Sequence, residues 1–85
     1  MGRISRETKV RSTRSPMAIH IGQQLLALRD QSHLTMHAIK DQTGLAVSTL
    51  SSVENGVNMP SVETLFILAQ VFGVTLDRFL EGYKP

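Results

Sequence analysis

The strongest constraint on this chain is its punctuation, a series of helix starts and stops set only a few turns apart. Ser15-Pro16, Thr35, Ser61 and Thr75 can each cap a helix N-terminus through a side-chain oxygen. Gly44, Asn55-Gly56, Gly73 and Gly82 can each take the left-handed or tight turn that closes one. Between these marks the apolar residues recur at steps of three and four, and no segment shows the strict alternation of a half-buried strand. The expectation is an all-α chain of five short helices without internal repeats.

The first helix is predicted over 16–31, with Ala18, Ile21, Leu25 and Leu28 on its inner face. The second starts after Thr35 and ends near Gln42; Leu34 and Ile39 have the spacing of a hydrophobic staple. Leu45 and Leu50 repeat that spacing, so "STLSSVENG" reads as a third helix rather than a polar loop. Leu50 and Val53 then face inward, and Ser48, Thr49, Ser51 and Ser52 stay outside. A fourth helix runs from Ser61 to Gly73 and a fifth from Thr75 to Gly82, with Val74 and Phe79 as its staple. Phe66, Phe72 and Phe79 fall at apolar helical positions and are expected in the core, not as base-stacking platforms.

With 85 residues the chain has room for one compact domain, over 16–85, preceded by an arm over 1–15. The arm lacks apolar periodicity and is expected to be disordered. Its charge is distinctive. Residues 1–16 carry Arg3, Arg6, Lys9, Arg11 and Arg14 against Glu7 alone, and the rest of the chain holds four Lys/Arg against six Asp/Glu. A basic tail on a slightly acidic body points to nucleic acid. An organelle transit peptide is the competing reading of the same composition. The absence of cysteine excludes disulfides and thiolate metal sites and fits a reducing, cytoplasmic setting. No apolar run approaches the roughly 18 residues of a membrane span.

Two short helices joined by "TGL", the second closing on "ENG", have helix-turn-helix spacing over about 36–55. Together "IGQQLLALRDQSHLT", "TGLAVSTLSSVENG" and "PSVETLFILAQVFGVTLDRFL" resemble the phage-repressor group, the Cro and lambda-repressor-like (XRE) helix-turn-helix domains, from about Ile21 to Leu80. That resemblance implies a five-helix domain whose third helix enters the DNA major groove, and a two-fold dimer on a pseudo-palindromic site. It also implies an ion pair between Arg29 and Glu54. The residues it places against double-stranded DNA are Thr35, Met36, His37, Ala46, Val47, Ser48, Thr49, Ser51, Ser52, Asn55 and Asn58.

Several of these depart from the family pattern. Met36 stands where the family often has a phosphate-binding Gln, and Ala46 replaces the usual polar cap. Lys40 replaces a small Ala and must snorkel outward. Val57, Asn58 and Met59 follow "ENG" in place of basic residues. Val47, Ser48 and Ser52 occupy base-reading positions without the bidentate geometry that gives sharp discrimination. The arm cations are expected to supply the missing attraction to phosphate.

His33 and His37 straddle a helix start and find no third ligand, so no metal is expected; His20 reads as a surface residue. No nucleophile elbow or phosphate-cradling glycine loop is present, which leaves no enzyme reading and no cofactor. The expected function is a sequence-specific DNA-binding transcriptional regulator, a repressor, acting as a homodimer through Leu76, Leu80 and Tyr83. The alternative is the same fold kept as a protein-interaction module, antitoxin-like or an anti-regulator subunit, with a protein partner.

Overall fold

A computed structural model describes residues 15–84. The arm cations Arg3 to Arg14 lie outside the described residues. Those described form four α-helices and one 3-10 helix, with no strand among them: α1 (Pro16–Ser32), α2 (Met36–Thr43), α3 (Val47–Glu54), α4 (Val62–Phe72) and the 3-10 helix Leu76–Leu80.

The local rules account for most of the boundaries. Ser15, Thr35 and Ser61 each accept a hydrogen bond from the backbone N–H three residues on, which satisfies one orphan donor at each helix start. Gly44 and Gly73 close α2 and α4 at φ 81° and 68°. The end of α1 is different: His33 takes the left-handed conformation at φ 56°, and the Leu34 N–H returns to the Arg29 carbonyl at 3.2 Å. A histidine holds this conformation with less strain than a β-branched residue would.

The last element differs from the expected fifth α-helix. Thr75 makes no side-chain cap, and the bonds that form span three residues, Arg78 N to Thr75 O and Glu81 N to Arg78 O. Only six residues separate Thr75 from Gly82, and over this short span the tighter 3-10 turn stands in place of an α-helix.

The core gathers Ile21, Leu25, Leu28, Ile39, Leu50, Val53, Leu68 and Phe79 from all five elements. Phe72 is half-buried, and Phe66 is 52% exposed, contrary to the expectation that all three phenylalanines are core. Helix α4 is apolar nearly all round, so periodicity alone could not choose its inner face; packing settles on Leu68 and Ala69.

Gly22 fixes how closely α1 and α3 approach. A Cβ there would lie 2.4 Å from the Val53 carbonyl oxygen and 2.6 Å from that of Glu54. No side chain fits against backbone at that distance, and glycine lets the two helices meet. Gly56, at φ 72°, packs against the backbone of Ile19 in the same seam.

Candidate nucleic-acid interface

Helices α2 and α3 form the two arms of a tight corner. Thr43 sets it: its hydroxyl donates to the Ile39 carbonyl at 2.7 Å and accepts from the Leu45 N–H at 3.0 Å. Gly44 then turns the chain with its N–H on the Lys40 carbonyl. Gly44 marks the turn in the sequence by itself, whereas the role of Thr43 needs both neighbours in place.

Helix α3 buries Leu50 and Val53 and turns Ser48 and Thr49 to solvent. Val47, Ser51 and Ser52 are half-buried. Asn55 is exposed, yet its amide donates to the Ser51 carbonyl at 2.9 Å and lies 3.3 Å from the Ser51 hydroxyl. Ser51 and Asn55 are thus tied to one another. Asn58 is exposed on the loop after α3, where the N–H groups of Val57 and Asn58 fold back on the Ser52 carbonyl at 2.9 and 3.4 Å.

The start of α3 carries no side-chain cap, because Ala46 offers none. At the start of α2, the Thr35 hydroxyl is occupied by the Ala38 N–H, and His37 is exposed. Met36 is half-buried and packs against the core, so it contributes apolar contact where a phosphate-binding amide would point outward. Lys40 is exposed, as its long stem requires.

The Arg29 guanidinium anchors the far end of α3. Its Nε donates to Glu54 Oε2 at 2.5 Å, its second nitrogen to Oε1 at 3.2 Å, and its third to the Leu34 carbonyl at 3.2 Å. One side chain therefore ties α1, the start of the α2 segment and the end of α3 together. The hydrogen bond to Glu54 holds the guanidinium proton more tightly than usual, with burial opposing and the Glu54 and Asp30 charges adding to it.

Leu76 and Leu80 are exposed on the 3-10 helix, whereas Tyr83 is half-buried at a different place. Its ring packs against His20 with centroids 5.4 Å apart, and His20 Nε2 donates to the Glu81 carbonyl at 2.8 Å. His20 is therefore a clasp for the C-terminal segment, not a bystander on the surface. Arg78 donates to Gln24 and pairs with Glu81 at 3.7 Å, closing the same end onto α1. No cluster of potential metal ligands occurs among the described residues, His33 and His37 included. Nor is any described helix long and apolar enough to cross a membrane.

A short helix with an outward polar row, braced behind by a second helix across a fixed corner, defines a helix-turn-helix domain. The helix-turn-helix family HTH_3 matches residues 25–79, and the chain belongs to that family. Similar proteins include the HTH-type transcriptional regulator DdrOP3 of Deinococcus deserti, 37% identical over 73% of this chain and 48% of its own length. The HTH-type transcriptional regulator AnsR of Bacillus subtilis is 35% identical over 72% of this chain and 53% of its own. The chain thus spans about half the length of these relatives. Among solved structures, the DNA-binding domain of S. venezulae BldD superposes with a TM-score of 0.69 at 27% identity, covering 76% of this chain and 97% of that one. An HTH_3 family transcriptional regulator from Vibrio cholerae shares the fold with a TM-score of 0.72 at 24% identity, over 81% of this chain and 40% of that one.

Proposed function

We propose that this chain is a DNA-binding transcriptional regulator, a repressor acting in the cytoplasm, that reads double-stranded DNA with α3. The observation that carries this reading is the exposed row Ser48 and Thr49, on a helix whose opposite face is locked by Leu50, Val53 and the Arg29–Glu54 pair. A rigid helix with small outward hydroxyls can approach base edges closely, and Val47 can pack on a thymine methyl. Similar proteins named as transcriptional regulators support the same use.

Few strong readers means little discrimination per subunit. A two-fold homodimer on half-sites roughly 34 Å apart doubles the contacts, and the arm cations Arg3, Arg6, Lys9, Arg11 and Arg14 add phosphate neutralisation. The test is selection of binding sites from random DNA, repeated with Ser52→Arg. The wild type should enrich a palindrome, and the variant should shift the preferred base within each half. Failure to enrich any sequence refutes the reading.

The protein-interaction alternative draws on one observation, that the exposed residues of α3 include no cation. It predicts that α3 is covered by a protein in the native complex and that no DNA sequence is enriched.

A further inference from the structure

A domain that meets DNA needs positive charge on the face it turns to phosphate. Residues 29–58, from the end of α1 through the loop after α3, hold two cations, Arg29 and Lys40, against three anions, Asp30, Asp41 and Glu54, a net charge of −1. Arg29 is held by Glu54, and the more distant Arg78 is engaged with Gln24 and Glu81. Among the described residues of this stretch, Lys40 is the one exposed Lys or Arg. The same stretch carries two exposed histidines, His33 and His37, on either side of the Thr35 cap where α2 begins. Protonating both turns the net −1 into +1.

We propose that His33 and His37 take up protons as the domain binds DNA and, with Lys40, form a contact to backbone phosphate that tightens as the pH falls. This rests on the DNA-binding reading above and adds a regulation to it. In a helix-turn-helix the first helix of the motif crosses the DNA backbone while the second enters the groove. Met36, at the first position of that helix, packs against the core, so polar contact falls to its neighbours. His37 and Lys40 stand three apart on α2 and share a face.

Histidine is the side chain whose charge changes between about pH 5 and 8. A phosphate oxygen favours the imidazolium, which donates from both ring nitrogens, over the neutral ring. The other charges around the pair are Asp41 on α2 itself, Arg29 and Asp30 at the end of α1, Glu54 on α3 and Glu63 on α4. Carboxylates, ammonium and guanidinium groups ordinarily keep their charge over that range, which leaves the two histidines to change the charge of this face. The sign follows. The added affinity is fully present at acid pH and is lost as the pH rises and the bound histidines give up their protons.

The test is fluorescence anisotropy of the full chain on its selected DNA site, from about pH 6 to pH 8 at fixed ionic strength. Calorimetry in buffers of different ionisation enthalpy counts the protons taken up. His33→Asn removes one titrating ring and keeps a residue that accepts the left-handed turn at φ 56°. His37→Gln removes the other and puts a good helix former at an exposed position.

Wild-type affinity should fall by up to roughly tenfold per histidine between those limits, a shift of about one pH unit for each. The slope of log affinity against log salt should be steeper at the acid limit by about 0.9 for each histidine that meets a phosphate. The double variant should match the wild type at the alkaline limit, gain little on acidification and take up fewer protons. Lys40→Gln should weaken binding equally at both limits. His20→Gln, at the C-terminal clasp, should keep the full response. An affinity that is flat with pH, or a double variant that responds as the wild type does, overturns the proposal. A chain that binds no DNA at either limit overturns the DNA-binding reading itself.

Discussion

Arg29 grips Glu54 at two points, 2.5 Å from Nε to Oε2 and 3.2 Å from the second nitrogen to Oε1, with the Glu54 side chain only 7% exposed. The pair joins α1 to the last residue of α3. Arg29→Met leaves that carboxylate desolvated without its cation, and stability should fall by about 3 kcal/mol. Glu54→Gln keeps a hydrogen-bond acceptor and should cost nearer ~1 kcal/mol. Urea unfolding of both variants measures the difference; equal, small losses would show that the pair does not brace the helix.

Gly22→Ala tests the approach of α1 to α3. The new methyl meets two backbone carbonyls rather than a side chain that could swing away. The helices must separate, which should destabilise the domain by about 2–3 kcal/mol even though alanine is the better helix former. Urea unfolding of this variant gives the value. A neutral or stabilising result would mean that the seam is looser than the geometry shows.

Ala46 invites the opposite change. Its backbone is already extended, at φ −65° and ψ 145°, as an N-cap residue should be, and only the side-chain acceptor is missing. Ala46→Ser should stabilise the free domain by about 1 kcal/mol. Thermal unfolding without DNA measures this separately from any new phosphate contact.

The helices were largely legible in the sequence because their signals are local. Ser15, Thr35 and Ser61 each do within three residues what their positions announced. What could not be read depends on distant partners. The His33 turn lacks the glycine that marks such ends, and Gly22 reads as a weak helix residue until Val53 stands opposite it. His20 and Tyr83 meet across most of the chain. At the candidate site the sequence pattern separates inward Leu50 and Val53 from the serines, but not outward Ser48 from Ser51, whose hydroxyl and carbonyl face the Asn55 amide.

The arm should contribute affinity without choosing sequence. Each phosphate neutralised adds about 0.9 to the slope of log affinity against log salt, so removing residues 1–14 should flatten it by as much as ~4. The cut spares Ser15, whose hydroxyl caps α1. Specific and random DNA should weaken alike, as read by fluorescence anisotropy over a salt series. An unchanged slope would show that the arm does not touch the backbone.

Whether α3 lies in the major groove at two half-sites is read by dimethyl sulfate footprinting on selected DNA. The reagent methylates guanine N7, which faces the major groove, and adenine N3, which faces the minor. The expected result is guanine N7 protection in two patches whose centres lie roughly 34 Å, one helical turn, apart. Protection confined to adenine N3, or a single patch with no symmetric mate, would contradict it.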